Sequence, residues 1–203
     1  MCSLFRKFFG TLSEENDNDI KIDVRSPYTP EISMPIDDQF TLEFKKNGGK
    51  FIYCENLNEV SENFENILAE NDWFEKDVLC YDTKLYKFLD ENRLSPKEAN
   101  VNVSFFLTNC ENLVADEGSI LFSSNQFKHF KPNELPTNMI VFATTSQITG
   151  TKGDGLRRIK NTHTKNYPSN ITTIRYFEEV QEQDFLNYGS SYKNLYLLLL
   201  EDL

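Results

Sequence analysis

Cations are scarce in this sequence: 21 Lys and Arg stand against 32 Asp and Glu, a formal net charge of −11 over 203 residues. Affinity for nucleic acid rests on neutralising backbone phosphates with Lys and Arg, so no nucleic-acid partner is expected. Histidine is nearly absent. His129 and His163 stand alone, without a second His or a carboxylate at metal-ligand spacing. Cys2, Cys54, Cys80 and Cys110 lie far apart and form no Cys-x-x-Cys pair, so neither a zinc site nor an iron–sulfur cluster is signalled. No metal and no cofactor is therefore expected. Long apolar runs are missing as well; residues 195–200 are far too few to cross a bilayer, and no transmembrane segment is read. Without a signal-peptide-like apolar region, the chain reads as reduced and cytoplasmic. Residues 150–155 lack the Gly-Lys-Ser/Thr ending of a phosphate-binding P-loop, and no Gly-x-Ser-x-Gly elbow occurs.

What is present is enough apolar material for one sizeable core, with 39% hydrophobic and 13% aromatic residues. Residues 1–35 read as a flexible acidic N-terminal segment with a short amphipathic start, Phe5, Phe8 and Phe9 around Arg6 and Lys7. A folded domain is expected over residues 36–203. Ile36, Phe40, Leu42 and Phe44 suit an entry helix that Asn47-Gly48-Gly49 stops. Residues 50–54 are a strand, and Asn56 caps a helix whose stripe is Leu57, Val60, Phe64, Ile67 and Leu68. Residues 77–81 are a strand and 82–89 a short helix, followed by closely spaced strands at 103–107, 112–115, 119–123 and 139–143. Residues 152–165 read as a basic helix with Leu156, Ile159 and His163 inward, and strands follow at 171–177 and 194–201. The last is apolar on both faces and belongs in a sheet interior with helices on either side. The pattern predicts an α/β fold, a three-layer domain with a central mixed sheet.

Two stretches carry candidate chemistry. Ala115-Asp116-Glu117-Gly118-Ser119 places two carboxylates at a strand-to-strand turn, where Gly118 is free to take a positive φ. Glu117 is the candidate catalytic acid there if it faces a cleft, with Asp116, Gly118 and Ser119 as ligand-binding neighbours; the competing reading is a solvated hairpin turn. Thr144-Thr145-Ser146-Gln147 follows a strand, at the end where open α/β sheets bind ligands, and suits a carboxylate, a phosphate or sugar hydroxyls. A simple helix cap needs only one of the four. The basic stretch Lys152, Arg157, Arg158, Lys160 and Lys165 would bias a cleft shared by both stretches toward a small anionic ligand; on its own it is also an ordinary solvated helix face.

The order and spacing of several pieces resemble the LUD (lactate utilisation) domain family. They are Asn47-Gly48-Gly49-Lys50 before the first strand, Ala115-Asp116-Glu117-Gly118-Ser119-Ile120, Leu135-Pro136 before Met139-Ile140-Val141-Phe142-Ala143, and the terminal stretch from Gly189 through Leu200. The resemblance implies a fold similar to the sugar-phosphate isomerase and CoA-transferase group. It also implies a link to bacterial oxidation of lactate to pyruvate beside iron–sulfur oxidase subunits, with this chain like the small member without cluster cysteines. One departure stands out: the family's Gly-Pro-Ser-Arg-Thr-Ala-Asp-Ile-Glu stretch is replaced by Ile171-Thr172-Thr173-Ile174-Arg175-Tyr176-Phe177 running into an acidic segment.

Three readings follow. The chain is an accessory component of lactate or 2-hydroxy-acid utilisation; or a stand-alone enzyme of the CoA-transferase or isomerase kind using Glu117; or a non-catalytic interaction module docking through its Phe-rich start. All three share one expectation, that native purified protein holds no stoichiometric iron or zinc. Elemental analysis showing near one metal per chain would contradict it.

Overall fold

A computed structural model describes residues 34–98, 102–177 and 192–202. The expectations for the acidic, Phe-rich segment 1–33 and for residues 178–191 lie outside the described residues. Helix α1, Ile36–Lys46, carries Asp37 and Asp38 in its first turn and Lys45 and Lys46 in its last, charges that oppose the helix dipole. Its apolar face is narrow. Phe40 and Phe44, one turn apart, are buried, whereas Ile36 and Leu42 are 43% exposed. The chain leaves α1 through Gly48 at φ +81°, a conformation glycine takes without Cβ strain.

Strand β1, Lys50–Cys54, then leads to α2, Leu57–Asn71. Asn56 caps α2 as expected, its Oδ1 accepting from the N–H groups of Asn58 and Glu59 at 3.0 Å each. The stripe Val60, Phe64, Ile67 and Leu68 is buried; Leu57, at the first turn, is exposed. Next come β2 (Asp77–Leu79), a 3-10 turn (Thr83–Leu85) capped by Asp82, α3 (Tyr86–Glu91), β3 (Ser95–Lys97) and β4 (Phe105–Asn109). Strand β4 starts two residues later than the sequence reading. Strands β5 (Asn112–Val114) and β6 (Ser119–Ser123) precede the short α4 (Ser124–Phe127). Then follow β7 (Asn138–Thr144), β8 (Ile148–Thr149), α5 (Lys152–Thr162), β9 (Ile171–Ile174) and β10 (Asn194–Leu200).

The main sheet has six strands in the order β1-β10-β7-β4-β2-β3, and every pairing in it is parallel. Mixed pairing is confined to a second, four-stranded sheet, β8-β5-β6-β9. Helices α2 and α3 cover one face of the main sheet, where Phe64, Leu68, Phe88 and Leu89 meet Tyr196, Leu198 and Ile140. On the other face α1 and the second sheet bring Phe40, Phe44, Ile120 and Phe122 against Leu195, Leu197, Leu199 and Val141. The result is a three-layer α/β domain whose third layer is a helix plus a small sheet. Helix α5 lies outside that small sheet with Ile159 against Val114 and Leu121. Leu156, expected inward, is 37% exposed, because one inward residue per turn suffices against so small a sheet.

The β5–β6 turn is wedged against α1. Gly118 sits at φ +58°, and a Cβ there would come within 2.3 Å of the Glu43 carbonyl carbon and 2.4 Å of the Phe44 nitrogen. Both are helix backbone atoms that cannot step aside. Gly118→Ala is expected to cost about 3 kcal/mol or more through the clash and the left-handed backbone. Gly153→Ala in α5, with its nearest neighbour at 3.6 Å, is expected to be neutral or mildly stabilising. Urea denaturation of the two variants checks the contrast.

Lys193, at the entry to β10, is 2% exposed. Its ammonium donates to the carbonyls of Leu135 at 2.8 Å and Pro136 at 2.9 Å, tying β10 to the chain that enters β7. Burial pulls its pKa from 10.5 down to about 8. A folded-state value below the unfolded one means that between these pH values the unfolded chain holds a proton the native protein has released. Stability attributable to this group therefore rises with pH across that window, by about 3 kcal/mol in full. Lys193→Met should lack this rise. Urea midpoints of wild type and variant at pH 7.5 and pH 10 measure the difference.

Candidate functional site

The acidic turn is fixed from three sides. Ala115 N–H donates to the Thr149 carbonyl at 2.9 Å and Asp116 N–H to that of Gly150 at 3.1 Å. From the end of α1, Asn47 Nδ2 donates to the carbonyls of Glu117 at 2.7 Å and Gly118 at 3.2 Å. Ser119 Oγ donates to the Glu117 carboxylate at 3.2 Å. Of the four expected residues, Gly118 and Ser119 are buried, Asp116 points to solvent and Glu117 is half-buried. Glu117 lines a cleft of about 430 Å³ together with Lys152, Thr173, Arg175 and Tyr176. Arg175 belongs to the stretch that departs from the family pattern. Among the described residues, neither Lys152 nor Arg175 is in an ion pair.

The hydroxyl-rich loop does hold a carboxylate, and it is the chain's own. Asp202 Oδ1 accepts from Ser146 N–H at 2.8 Å and Thr145 Oγ1 at 3.0 Å, and its Oδ2 from Ser146 Oγ at 2.7 Å. Burial acts to raise the Asp202 pKa, but these hydrogen bonds and that of Thr144 outweigh it and hold the carboxyl below its ordinary value. Thr144 Oγ1 lies 3.0 Å from Ser146 Oγ. Gln147 is spent on backbone: its Nε2 donates to the Cys110 carbonyl at 2.7 Å and its Oε1 accepts from Thr144 N–H at 2.8 Å. No long helix starts at the loop, because β8 intervenes and Thr151 caps α5.

The expectation that Glu117 and residues 144–147 share one pocket is corrected by the sheet pairing. That convergence requires β6 to pair near β7, but β6 pairs with β5 and β9, in the other sheet. Strands β5 and β8 run parallel, Leu113 opposite Ile148 and Val114 opposite Thr149. Gln147 therefore meets the start of β5, whereas Glu117 lies beyond its end. The two groups sit at opposite ends of the β5–β8 pair, and none of the four loop residues lines the Glu117 cleft.

A polar cluster the sequence did not reveal surrounds Glu111. Ser123 Oγ donates to Glu111 Oε1 at 2.6 Å, Gln126 Nε2 donates to the same oxygen at 3.2 Å, and His163 Nε2 is 3.0 Å from Oε2. Burial acts to raise the Glu111 pKa; the hydrogen bonds from Ser123, His163 and Gln126 overcome it and leave the group below its ordinary value. Here the carboxylate stands between serine and histidine. A hydrolytic triad needs the imidazole in contact with the nucleophilic hydroxyl, so this arrangement braces the end of α5 against β6 instead. His163 thus ends the helix on Glu111 rather than packing into an apolar face.

Cys54, Cys80 and Cys110 are buried free thiols. Burial pushes Cys54 up to about 11 and Cys80 to about 12, leaving both protonated near neutral pH. Among the described residues no group of three or more His, Cys, Asp or Glu could hold a metal ion.

The chain superposes on the crystal structure of a DUF162 family protein from Deinococcus radiodurans with a TM-score of 0.60 at 12% identity, covering 82% of this chain and 96% of that one. At that identity the likeness establishes the fold. No curated protein matches the sequence. The LUD domain model matches residues 38–191, a span that takes in α1, the acidic turn it clamps and the hydroxyl loop, and by that match the chain belongs to the LUD domain family.

Proposed function

We propose that this LUD domain protein is an accessory component of lactate or related 2-hydroxy-acid utilisation, binding a small carboxylate and acting with iron–sulfur partner proteins. The observation that carries the reading is the cleft that joins Glu117 to two cations, Lys152 and Arg175, outside any ion pair among the described residues. A 2-hydroxy acid presents one carboxylate and one neighbouring hydroxyl. The cations suit the first. Glu117, steadied by Ser119, suits the second as acceptor of the hydroxyl proton, the position from which a carboxylate can act as a general base. Gly118 keeps the turn on α1. Residues 144–147 serve this reading by anchoring the adjacent sheet edge through Asp202. Oxidation of a 2-hydroxy acid releases two electrons and two protons, and in this reading the iron–sulfur partners accept the electrons.

Calorimetric titration of the full chain with L-lactate and with pyruvate tests the proposal. Both should bind saturably, and Arg175→Ala or Lys152→Ala should weaken each by about tenfold, the low end for a lost charge-assisted hydrogen bond. Glu117→Gln should weaken lactate more than pyruvate, since only lactate offers a hydroxyl. Absence of saturable binding by both acids, or unchanged affinity in the Lys152→Ala/Arg175→Ala double variant, would remove the proposal.

A further inference from the structure

A second and larger cleft, of about 670 Å³, shares no lining residue with the Glu117 site. Its position follows from the crossovers. From β2 the chain turns through α3 to β3, toward one edge of the sheet and over the face that carries α2. From β4 it turns through the second sheet to β7, toward the other edge and over the opposite face. Two neighbouring parallel strands whose connections part in this way leave a crevice at their carboxyl ends, the place where open α/β sheets take ligands. A hydrogen bond from Asn109 Nδ2, ending β4, to Asp82 Oδ2, after β2, ties the two strand ends together at 2.7 Å.

The lining has a definite chemistry. Tyr81, Tyr86 and Phe130 supply aromatic walls, with the Phe130 ring against that of His129 at a centroid distance of 4.1 Å. Lys128 places its ammonium 5.6 Å from the Tyr81 ring centroid, and Glu98 adds a carboxylate. Lys128 Nζ also donates to the Asn125 carbonyl at 3.1 Å. Two features of these walls stand out. The Tyr81 hydroxyl is buried with no hydrogen-bond partner among the described residues, a state most buried polar groups avoid. Lys128 sits at φ 55° with ψ −122°, a conformation suited to glycine rather than to a long side chain.

We infer that this cleft binds a mononucleotide. A base stacks on aromatic walls, ribose hydroxyls donate to a carboxylate, and a phosphate meets an ammonium; Tyr81, Tyr86 and Phe130, then Glu98, then Lys128 present these groups within one cleft of suitable size. The strained lysine is then explained, since a glycine would relax the backbone and forfeit the phosphate contact. This inference is independent of the carboxylate site.

Calorimetry of the full chain with AMP, adenosine and inorganic phosphate tests it. AMP should bind saturably, with adenosine and phosphate each weaker by about tenfold or more for want of one half of the contacts. Lys128→Gly is the informative variant, because it should raise the melting temperature while weakening AMP by about tenfold. A purely structural Lys128 would raise the melting temperature and leave AMP affinity unchanged, which overturns the inference. So would the absence of saturable AMP binding at millimolar concentration, or phosphate alone binding as tightly as AMP.

Discussion

Burial of β10 on both faces is the constraint on which the domain depends. Leu195, Leu197 and Leu199 enter one core, Tyr196 and Leu198 the other, and all five are 3% exposed or less. Each fully buried leucine contributes roughly 1.5–3 kcal/mol, but only if its backbone polar groups are paired as well. The ladders to β1 and β7 do that, Leu197 opposite Phe51 on one side and Val141 on the other. An interior parallel strand demands a cover on each face and crossovers to supply it. Helices α2 and α3 meet that demand on one face, and α1 with the second sheet on the other.

The choice of a sheet as part of the third layer has consequences for chemistry. A helix there would have carried the chain directly from β4 to β7 and from β7 to β10. The second sheet instead inserts turns, and one of them, at residues 115–118, is pressed onto α1 and held by Asn47. Glu117 thereby gains a fixed place beside Arg175, which follows β9, and Lys152, which opens α5. The same insertion moves Glu117 away from the carboxyl edge of the main sheet, where residues 144–147 and Asp202 meet.

An acidic chain must also place its carboxylates with care, and three solutions recur. Asp202 is satisfied by hydroxyl and backbone donors, Glu111 by Ser123, Gln126 and His163, and Asp82 by a cap and an amide. None of the three relies on a lysine or arginine. Hydrogen bonds to the charged form, joined at Glu111 by the Coulombic pull of His163, keep the values of Asp202 and Glu111 depressed.

Local chemistry was readable from the sequence wherever one segment decides its own structure. Asn56 as a cap, the stripe of α2, Asn47-Gly48-Gly49 as a stop, the limits of β1 and β6 and the two-faced character of β10 all follow from periodicity and backbone preference. So did the resemblance that the family match bears out. The partner of each strand was not readable, because alternation and apolar content state that a strand is buried without stating beside which neighbour. That gap moved Glu117 and Ser146 apart once β6 paired with β5 and β9. Leu156 turned outward for a related reason, since the width of the surface a helix covers is set by the sheet beneath it. Asp202 with Ser146, Glu111 with His163 and Lys193 with Leu135 join residues more than fifty positions apart. The sequence by itself determined the family, the residue types available for chemistry and most of the elements, though not β3, β8 or α4; the tertiary structure alone decided which met, because long-range pairing is chosen by the joint burial of both faces of the sheet and not by any one segment.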